Sequence, residues 1–276
     1  MTMKSRPQLR HAASSKRSRR MITILELLAE RESVSLTEFS ETLKVSPATV
    51  RRDLADLGRQ RLLHRTHGGA NVIDSQAELP VALRDTQYLE AKRSIALQVA
   101  RLIPTHRHAV ALSGGSTTAQ VARALADHRD LTIITNSLTI ATLVSSYPNL
   151  KVIMTGGSLR PQSLELVGIL AENTFNAINV GTAILGTDGI TAAGGVTTHD
   201  ETEARTNHAM VTHAQRTIVV ADGSKIGRLA LAKVADIDQV DALITDDTAS
   251  PVDLAAIERA GVEVHVVPGR NSISRN

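Results

Sequence analysis

The stretch Val45-Ser46-Pro47-Ala48-Thr49-Val50-Arg51-Arg52-Asp53-Leu54-Ala55-Asp56-Leu57-Gly58-Arg59 reads as a capped helix with two unlike faces. Ser46 is placed to cap it, with Pro47 at the first helical position, where a missing N–H costs nothing. Val50, Leu54 and Leu57 recur at i, i+4 and i+7 and must face a core. At about 100° per residue, Ala48, Arg52, Ala55 and Arg59 point the other way, with Thr49 and Arg51 beside them. Two alanines keep this arginine-bearing face slim enough to enter a groove. Arginine bridges guanine O6 and N7 with two hydrogen bonds, or holds a phosphate.

Working outward, Ser35-Leu36-Thr37-Glu38 is a capping box that opens a short helix striped by Leu36, Phe39 and Leu43. An earlier helix carries Ile22, Leu25 and Leu28, with Ala29 beside them, and ends near Arg31. On the other side, Leu62–Thr66 and Ala70–Ile73 are β-like runs around His67-Gly68-Gly69, as a hairpin would be. Helix, tight turn, basic helix and hairpin in that order describe a winged helix-turn-helix. Ser35, Ser46, Ala48, Thr49, Arg51 and Arg52 are its candidate DNA-contacting residues, with Arg65 and His67 reaching from the wing.

Charge agrees with this. Of a formal net +3, residues 1–70 carry 14 Lys/Arg against 7 Asp/Glu, and residues 71–276 carry 17 against 21. Such asymmetry suggests that one part of a chain meets a polyanion. Only Phe39, Tyr88, Tyr147 and Phe175 are aromatic, which leaves little for stacking on single-stranded bases. The absence of cysteine excludes disulfides and thiolate chemistry and fits a reducing cytoplasm. No apolar run approaches the ~18 residues of a membrane span. Residues 1–15 read as a disordered basic arm, 16–73 as the DNA-binding domain, and 74–89 as a linker without clear period.

From 90 to 270, strand-like and helical runs alternate. Ala109–Leu112, Leu131–Thr135, Val152–Met154, Ala183–Leu185, Thr217–Ala221, Ala242–Thr245 and Val262–Val267 read as strands. Glu90–Ile103, Thr118–Ala126 and Asp253–Ala260 read as helices. This pattern predicts an α/β domain with a mostly parallel sheet, helices on both faces, and ligands at the carboxyl ends of strands. Small polar residues collect there: Ser113-Gly114-Gly115-Ser116-Thr117-Thr118, Thr135-Asn136-Ser137, Thr155-Gly156-Gly157-Ser158-Leu159-Arg160, Gly186-Thr187-Asp188-Gly189-Ile190 and Asp222-Gly223-Ser224-Lys225. The first suits a phosphate at a helix N-terminus, yet it is neither a nucleoside-triphosphate loop nor a dinucleotide fingerprint. Lys225 can neutralise a phosphate and Asp188 can accept sugar hydroxyls. His199-Asp200-Glu201 lacks the i, i+4 spacing of helical zinc pairs, so neither metal nor cofactor is expected.

These residues match a known family. The chain resembles the DeoR/GlpR family of bacterial transcriptional regulators from about Lys16 to Val267. The amino-terminal match lies in Val34-Ser35, Val45-Ser46, Thr49-Val50-Arg51-Arg52-Asp53-Leu54 and His64-Arg65-Thr66-His67-Gly68-Gly69-Ala70. The later match lies in Gly115-Ser116-Thr117-Thr118, Thr135-Asn136-Ser137, Gly156-Gly157-Ser158-Leu159-Arg160, Gly186-Thr187-Asp188-Gly189-Ile190 and Ala221-Asp222-Gly223-Ser224-Lys225-Ile226-Gly227. The resemblance implies a sensor domain similar to ribose-5-phosphate isomerase, and a repressor of carbohydrate genes released from its operator, or occasionally retuned, by a phosphorylated sugar or related metabolite. It further implies that Gly115–Thr118, with Gly114 before them, cradle the phosphate, and that Asn136, Ser137, Asp188, Glu203 and Lys225 line the pocket. Ser113 and Asn207 stand where the family commonly has aspartate and lysine. A homodimer or homotetramer on double-stranded DNA is expected, since helix-turn-helix proteins read paired half-sites. The competing expectation is a sugar-phosphate isomerase with a DNA-binding appendage, using Asp188 or Glu203 as base.

Overall fold

The computed structural model describes residues 7–60, 62–73 and 78–269, with side chains from Lys16 onward. The chain divides after Gln87 into two compact units, each with its own core.

In the first unit, α1 (Pro7–Arg31) leads into β1 (Ser33–Ser35), α2 (Leu36–Leu43), α3 (Pro47–Arg59), β2 (Leu63–Arg65) and β3 (Gly69–Val72). The helix α1 thus begins inside the stretch expected to be a disordered arm; residues 1–6 lie outside the described ones. Its buried face is Met21, Ile22, Ile24 and Leu28, while Leu25 is half-buried and Ala29 exposed, a rotation from the expected stripe. The caps form as expected: Ser35 Oγ accepts from Glu38 N at 3.2 Å and Ser46 Oγ from Thr49 N at 3.3 Å. Glu38 does not reach back to close a capping box, because its carboxylate pairs with Arg31. Val50, Leu54 and Leu57 are buried with Phe39, Val34 and Leu63.

The three strands pair antiparallel in the order β1-β3-β2, so the wing has one strand more than the sequence suggested. Gly69 sits where β3 crosses β1: a methyl group there would collide with the Val34 carbonyl.

The expected linker is shorter than it reads. Val81–Arg84 forms a helical turn, α4, and Arg84 pairs with Glu78 at 3.2 Å. Val81 and Leu83 are buried, and Leu83 joins the first unit's core. Residues 74–77 lie outside the described ones.

The second unit opens with α5 (Leu89–Leu102), β4 (His108–Leu112), α6 (Ser116–Ala124), β5 (Leu131–Thr135), α7 (Leu138–Val144) and β6 (Leu150–Met154). Next come the hairpin β7 (Ser158–Arg160) and β8 (Glu165–Val167), then α8 (Ile169–Asn176) and β9 (Thr182–Gly186). After these come β10 (Gly189–Thr191), β11 (Gly195–Thr198), α9 (Glu201–Thr212), β12 (Thr217–Val220) and β13 (Ala232–Ala235). The last elements are β14 (Ala242–Asp246), α10 (Pro251–Arg259) and β15 (Glu263–Val267).

Seven strands form one parallel sheet in the order β15-β14-β12-β9-β4-β5-β6. Alternation within strands separates two cores, as a sheet buried on both faces requires. Val110, Leu112, Ile184 and Ile218 meet Ile95, Val121 and Ile140 of α5, α6 and α7. Ala111, Leu185 and Val219 meet Phe175, Met210 and Ile257 of α8, α9 and α10. Two small antiparallel sheets, β10-β11-β13 and β7-β8, stand apart from the main sheet.

Candidate functional site

On α3, Ala48, Arg51 and Arg52 are exposed and Thr49 is half-buried. The surrounding arginines Arg17, Arg20 and Arg59 share two carboxylates. Arg17 and Arg20 of α1 both reach Asp53, at 3.2 and 2.5 Å, and Arg17 and Arg59 pair with Asp56. Arg51, Arg52 and Arg65 have no ion-pair partner among the described residues. Asp53 is itself buried on the core side of α3, a placement that its acidic side chain concealed in the sequence. It ties α1 to α3 through Arg17 and Arg20.

The stem of Arg65 lies against Gly58, whose missing side chain makes room: a Cβ there would stand 3.2 Å from the Arg65 Cδ. His67 is exposed at the wing turn, closed by Thr66 N donating to Gly69 O at 3.0 Å. The Ser35 and Ser46 hydroxyls act as helix caps, and the Ser46 Oγ also lies 3.0 Å from the Thr49 Oγ1.

In the second unit, the polar clusters converge at the carboxyl ends of β4, β5, β9 and β12. Gly115 has φ +119°, which favours glycine, and α6 starts without a side-chain cap. Thr118 Oγ1 donates to Gly115 O at 3.0 Å, and Ser116 and Thr117 are buried in the same turn. Ser113, at the position where the family commonly has aspartate, accepts from Gly186 N at 3.0 Å and so ties β4 to β9. Asn207, at the lysine position, accepts from Asn136 Nδ2 at 3.5 Å. Asn136 Oδ1 is buried without a hydrogen-bond partner. Ser137 does not extend into this group: its hydroxyl caps α7, accepting from Ile140 N at 3.4 Å.

A second cluster joins Asp188, Glu203 and Lys225. Thr198 Oγ1 lies 3.0 Å from Asp188 Oδ2 and 2.8 Å from Glu203 Oε1, and Lys225 Nζ lies 3.6 Å from Asp188 Oδ1. Arg160 of β7 clamps α9, reaching Glu203 at 3.1 Å and Asp200 at 3.2 Å. Burial opposes ionisation of Asp200, but the Glu203 N–H and Arg160 outweigh it and hold its carboxyl below the usual range. Glu203 is pushed the other way, well above the usual range, by burial and by the carboxylate of Glu165.

Sequence reasoning missed Glu165. It is 2% exposed on β8, and its Oε1 accepts from Gly114 N at 2.6 Å. Neither spacing nor composition marks it, since it lies 51 residues from its partner. Arg160 was visible only as part of a glycine-rich cluster.

A basic helix-turn-helix with a wing, on one chain with an α/β domain carrying a polar site at its strand ends, defines a DNA-binding regulator with a sensor domain. Family models match residues 20–76 as a DeoR-like helix-turn-helix domain and 87–247 as a DeoR C terminal sensor domain. The glycerol-3-phosphate regulon repressor of Escherichia coli (strain K12) is 34% identical over 84% of this chain and 91% of its own length. The HTH-type transcriptional regulator GlpR of Haloferax volcanii is 35% identical over 87% of this chain and 94% of its own length. Among solved structures, ribose 5-phosphate isomerase from Plasmodium falciparum is similar with a TM-score of 0.36 and 15% identity, over 49% of this chain and 51% of that one.

The chain belongs to the DeoR family of transcriptional regulators. Its relatives are regulators rather than enzymes, and the isomerase alternative falls with that. Among the described residues, no helix is long and apolar enough to cross a membrane.

Proposed function

We propose that this regulator is a cytoplasmic repressor of carbohydrate genes whose hold on its operator is governed by a phosphorylated, hydroxyl-rich metabolite. The carrying observation is a contrast among neighbouring arginines: Arg51 and Arg52 are exposed and have no ion-pair partner among the described residues, while Arg17, Arg20 and Arg59 pair with Asp53 and Asp56. Charges left free where neighbours are paired suit an external polyanion. Ala48, Thr49 and Arg52 face the bases in this reading, and Ser35, Ser46, Arg51, Arg65 and His67 face the backbone or minor groove.

The effector reading rests on the uncapped turn Gly114–Thr118, which suits a phosphate, beside Asn136, Asp188, Glu203 and Lys225, which suit hydroxyls. A relative named for glycerol 3-phosphate supports it. The effector shifts DNA affinity only through its differential affinity for the DNA-competent state. Reading two half-sites calls for an even-numbered homo-oligomer, and the exposed Leu229 and Leu231 before β13 offer apolar surface for it.

The test is a gel shift on DNA upstream of the chain's own gene, with a panel of sugar phosphates. Release by one phosphate ester, and not by the free sugar, is expected. Arg52→Ala is expected to weaken specific binding by about 1–3 kcal/mol and to relax specificity at one base pair. Unchanged binding on every sequence refutes the placement of α3 in the groove.

A further inference from the structure

The loop that leads into α6 already holds a carboxylate. Glu165 Oε1 accepts from Gly114 N at 2.6 Å, one residue before the N-cap Gly115. The contact is close enough that a methyl group on residue 114 would collide with Glu165 Cγ and Cδ. The first turn of α6 has no acidic residue and no side-chain cap of its own. A helix N-terminus with free N–H groups attracts an anion, and here a carboxylate from a separate hairpin stands at its approach, on the N–H just before the cap. Beside it, the buried Asn136 Oδ1 lacks a partner, so the surroundings hold an acceptor awaiting a donor.

Glu165 lies beside Glu203, and burial together with the Glu165 carboxylate keeps the Glu203 proton in place well above the usual carboxylate range. The backbone of Glu165 is fixed: its strand bridges Ser137, Leu166 N donates to Asn136 O at 2.7 Å, and Leu138 N donates to Leu164 O at 3.0 Å. Only the side chain must turn for Gly114 to be freed.

We propose that Glu165 is a built-in occupant of the anion turn, standing where an anionic group of the effector binds, so that effector binding is a competition with this carboxylate. Glu165 thereby sets the concentration at which the sensor responds. An anion must displace it before meeting Gly114–Thr118, which keeps the turn closed to abundant weak anions. A ligand that also satisfies Asn136, Asp188 and Glu203 has the additional contacts to win. The inference rests on the phosphorylated-effector reading above.

The experiment measures binding of inorganic phosphate, and of a panel of phosphate monoesters, to the full chain by titration calorimetry. Glu165→Ala is expected to bind inorganic phosphate at least tenfold more tightly than wild type. Glu165→Gln, which keeps size but removes charge, is expected to fall between the two. It also decides the matter should Glu165→Ala fail to fold. Unchanged or weaker binding by the folded variants, with wild type binding a phosphate ester, overturns the occupancy and leaves the effector reading intact. No binding of any phosphate by wild type or variants overturns both.

Discussion

Asp53→Ala tests whether α3 is held in place by charge. The Asp53 side chain is 2% exposed and receives Arg17 Nε at 3.2 Å and Arg20 Nε at 2.5 Å. Removing one partner of a fully buried ion pair costs about 3–5 kcal/mol, because the other charge is left desolvated. Here the orphans are not equally trapped. The Arg17 side chain is 47% exposed and keeps Asp56, whereas that of Arg20 is 20% exposed. The expected loss is therefore about 2–3 kcal/mol, below the fully buried range. In a domain of this size, each kcal/mol moves the midpoint by roughly 4–8 °C. The first unit should thus melt about 10–20 °C lower. Thermal unfolding of the full chain gives the shift, and hydrogen-exchange mass spectrometry locates it. Protection should fall in residues 16–73 and remain in 90–267. Well below the new midpoint, operator affinity should change little, because Asp53 faces the core. A loss under about 1 kcal/mol, or exchange that rises equally in both units, refutes the clamp.

Three further outcomes are expected. Arg65→Ala should weaken binding to all DNA sequences alike and reduce the salt slope by about 1, measured by fluorescence anisotropy across salt concentrations; loss confined to one sequence would instead make Arg65 a base reader. Gly69→Ala forces a methyl group against the Val34 carbonyl and should cost about 1–3 kcal/mol in denaturant unfolding, with a neutral result refuting the strand crossing. Glu203→Gln should flatten a pH dependence. The native chain holds the Glu203 proton well above 4.5, while the unfolded chain releases it near that value. Its contribution is full below 4.5 and is lost as pH rises through the elevated native value. Denaturant midpoints from pH 4 to 8 should decline in wild type relative to the variant, and parallel curves would refute the burial of that proton.

The main elements were legible because each is specified by nearby residues. Ser46-Pro47 and the Val50, Leu54, Leu57 period define α3 without reference to anything distant, and the strands of the large sheet are short apolar runs. The small sheets were not legible for the opposite reason. Ser158–Arg160 and Glu165–Val167 are three residues each, and their pairing depends on a hairpin held by Ser137 and Asn136, far away in sequence. Thr198 and Ala232 pair across a gap that contains α9 and β12. The linker was misread because Val81 and Leu83 are too few to show a period, yet they are buried once α4 forms.

The candidate site divides in the same way. Residues that offer a ligand backbone N–H or a small hydroxyl were visible, since glycine and threonine after a strand mark a turn whatever surrounds it. What the turn holds was not visible. Glu165 follows Leu164 and precedes Leu166-Val167, and nothing local distinguishes it from a solvated acid on an edge strand. Its meaning comes from Gly114, which has no side chain to exclude it, and from Glu203, whose proton allows the approach. The two departures at Ser113 and Asn207 fit this arrangement. Both side chains are occupied with neutral neighbours, Gly186 and Asn136, so neither adds a charge beside the turn. A lysine at 207 would have offered the Glu165–Glu203 pair a counter-charge, and an aspartate at 113 would have added a further acid to it. Neutral residues at both positions leave Arg160 as the cation that meets Glu203, and Gly114 N as the donor that an incoming anion would have to win from Glu165.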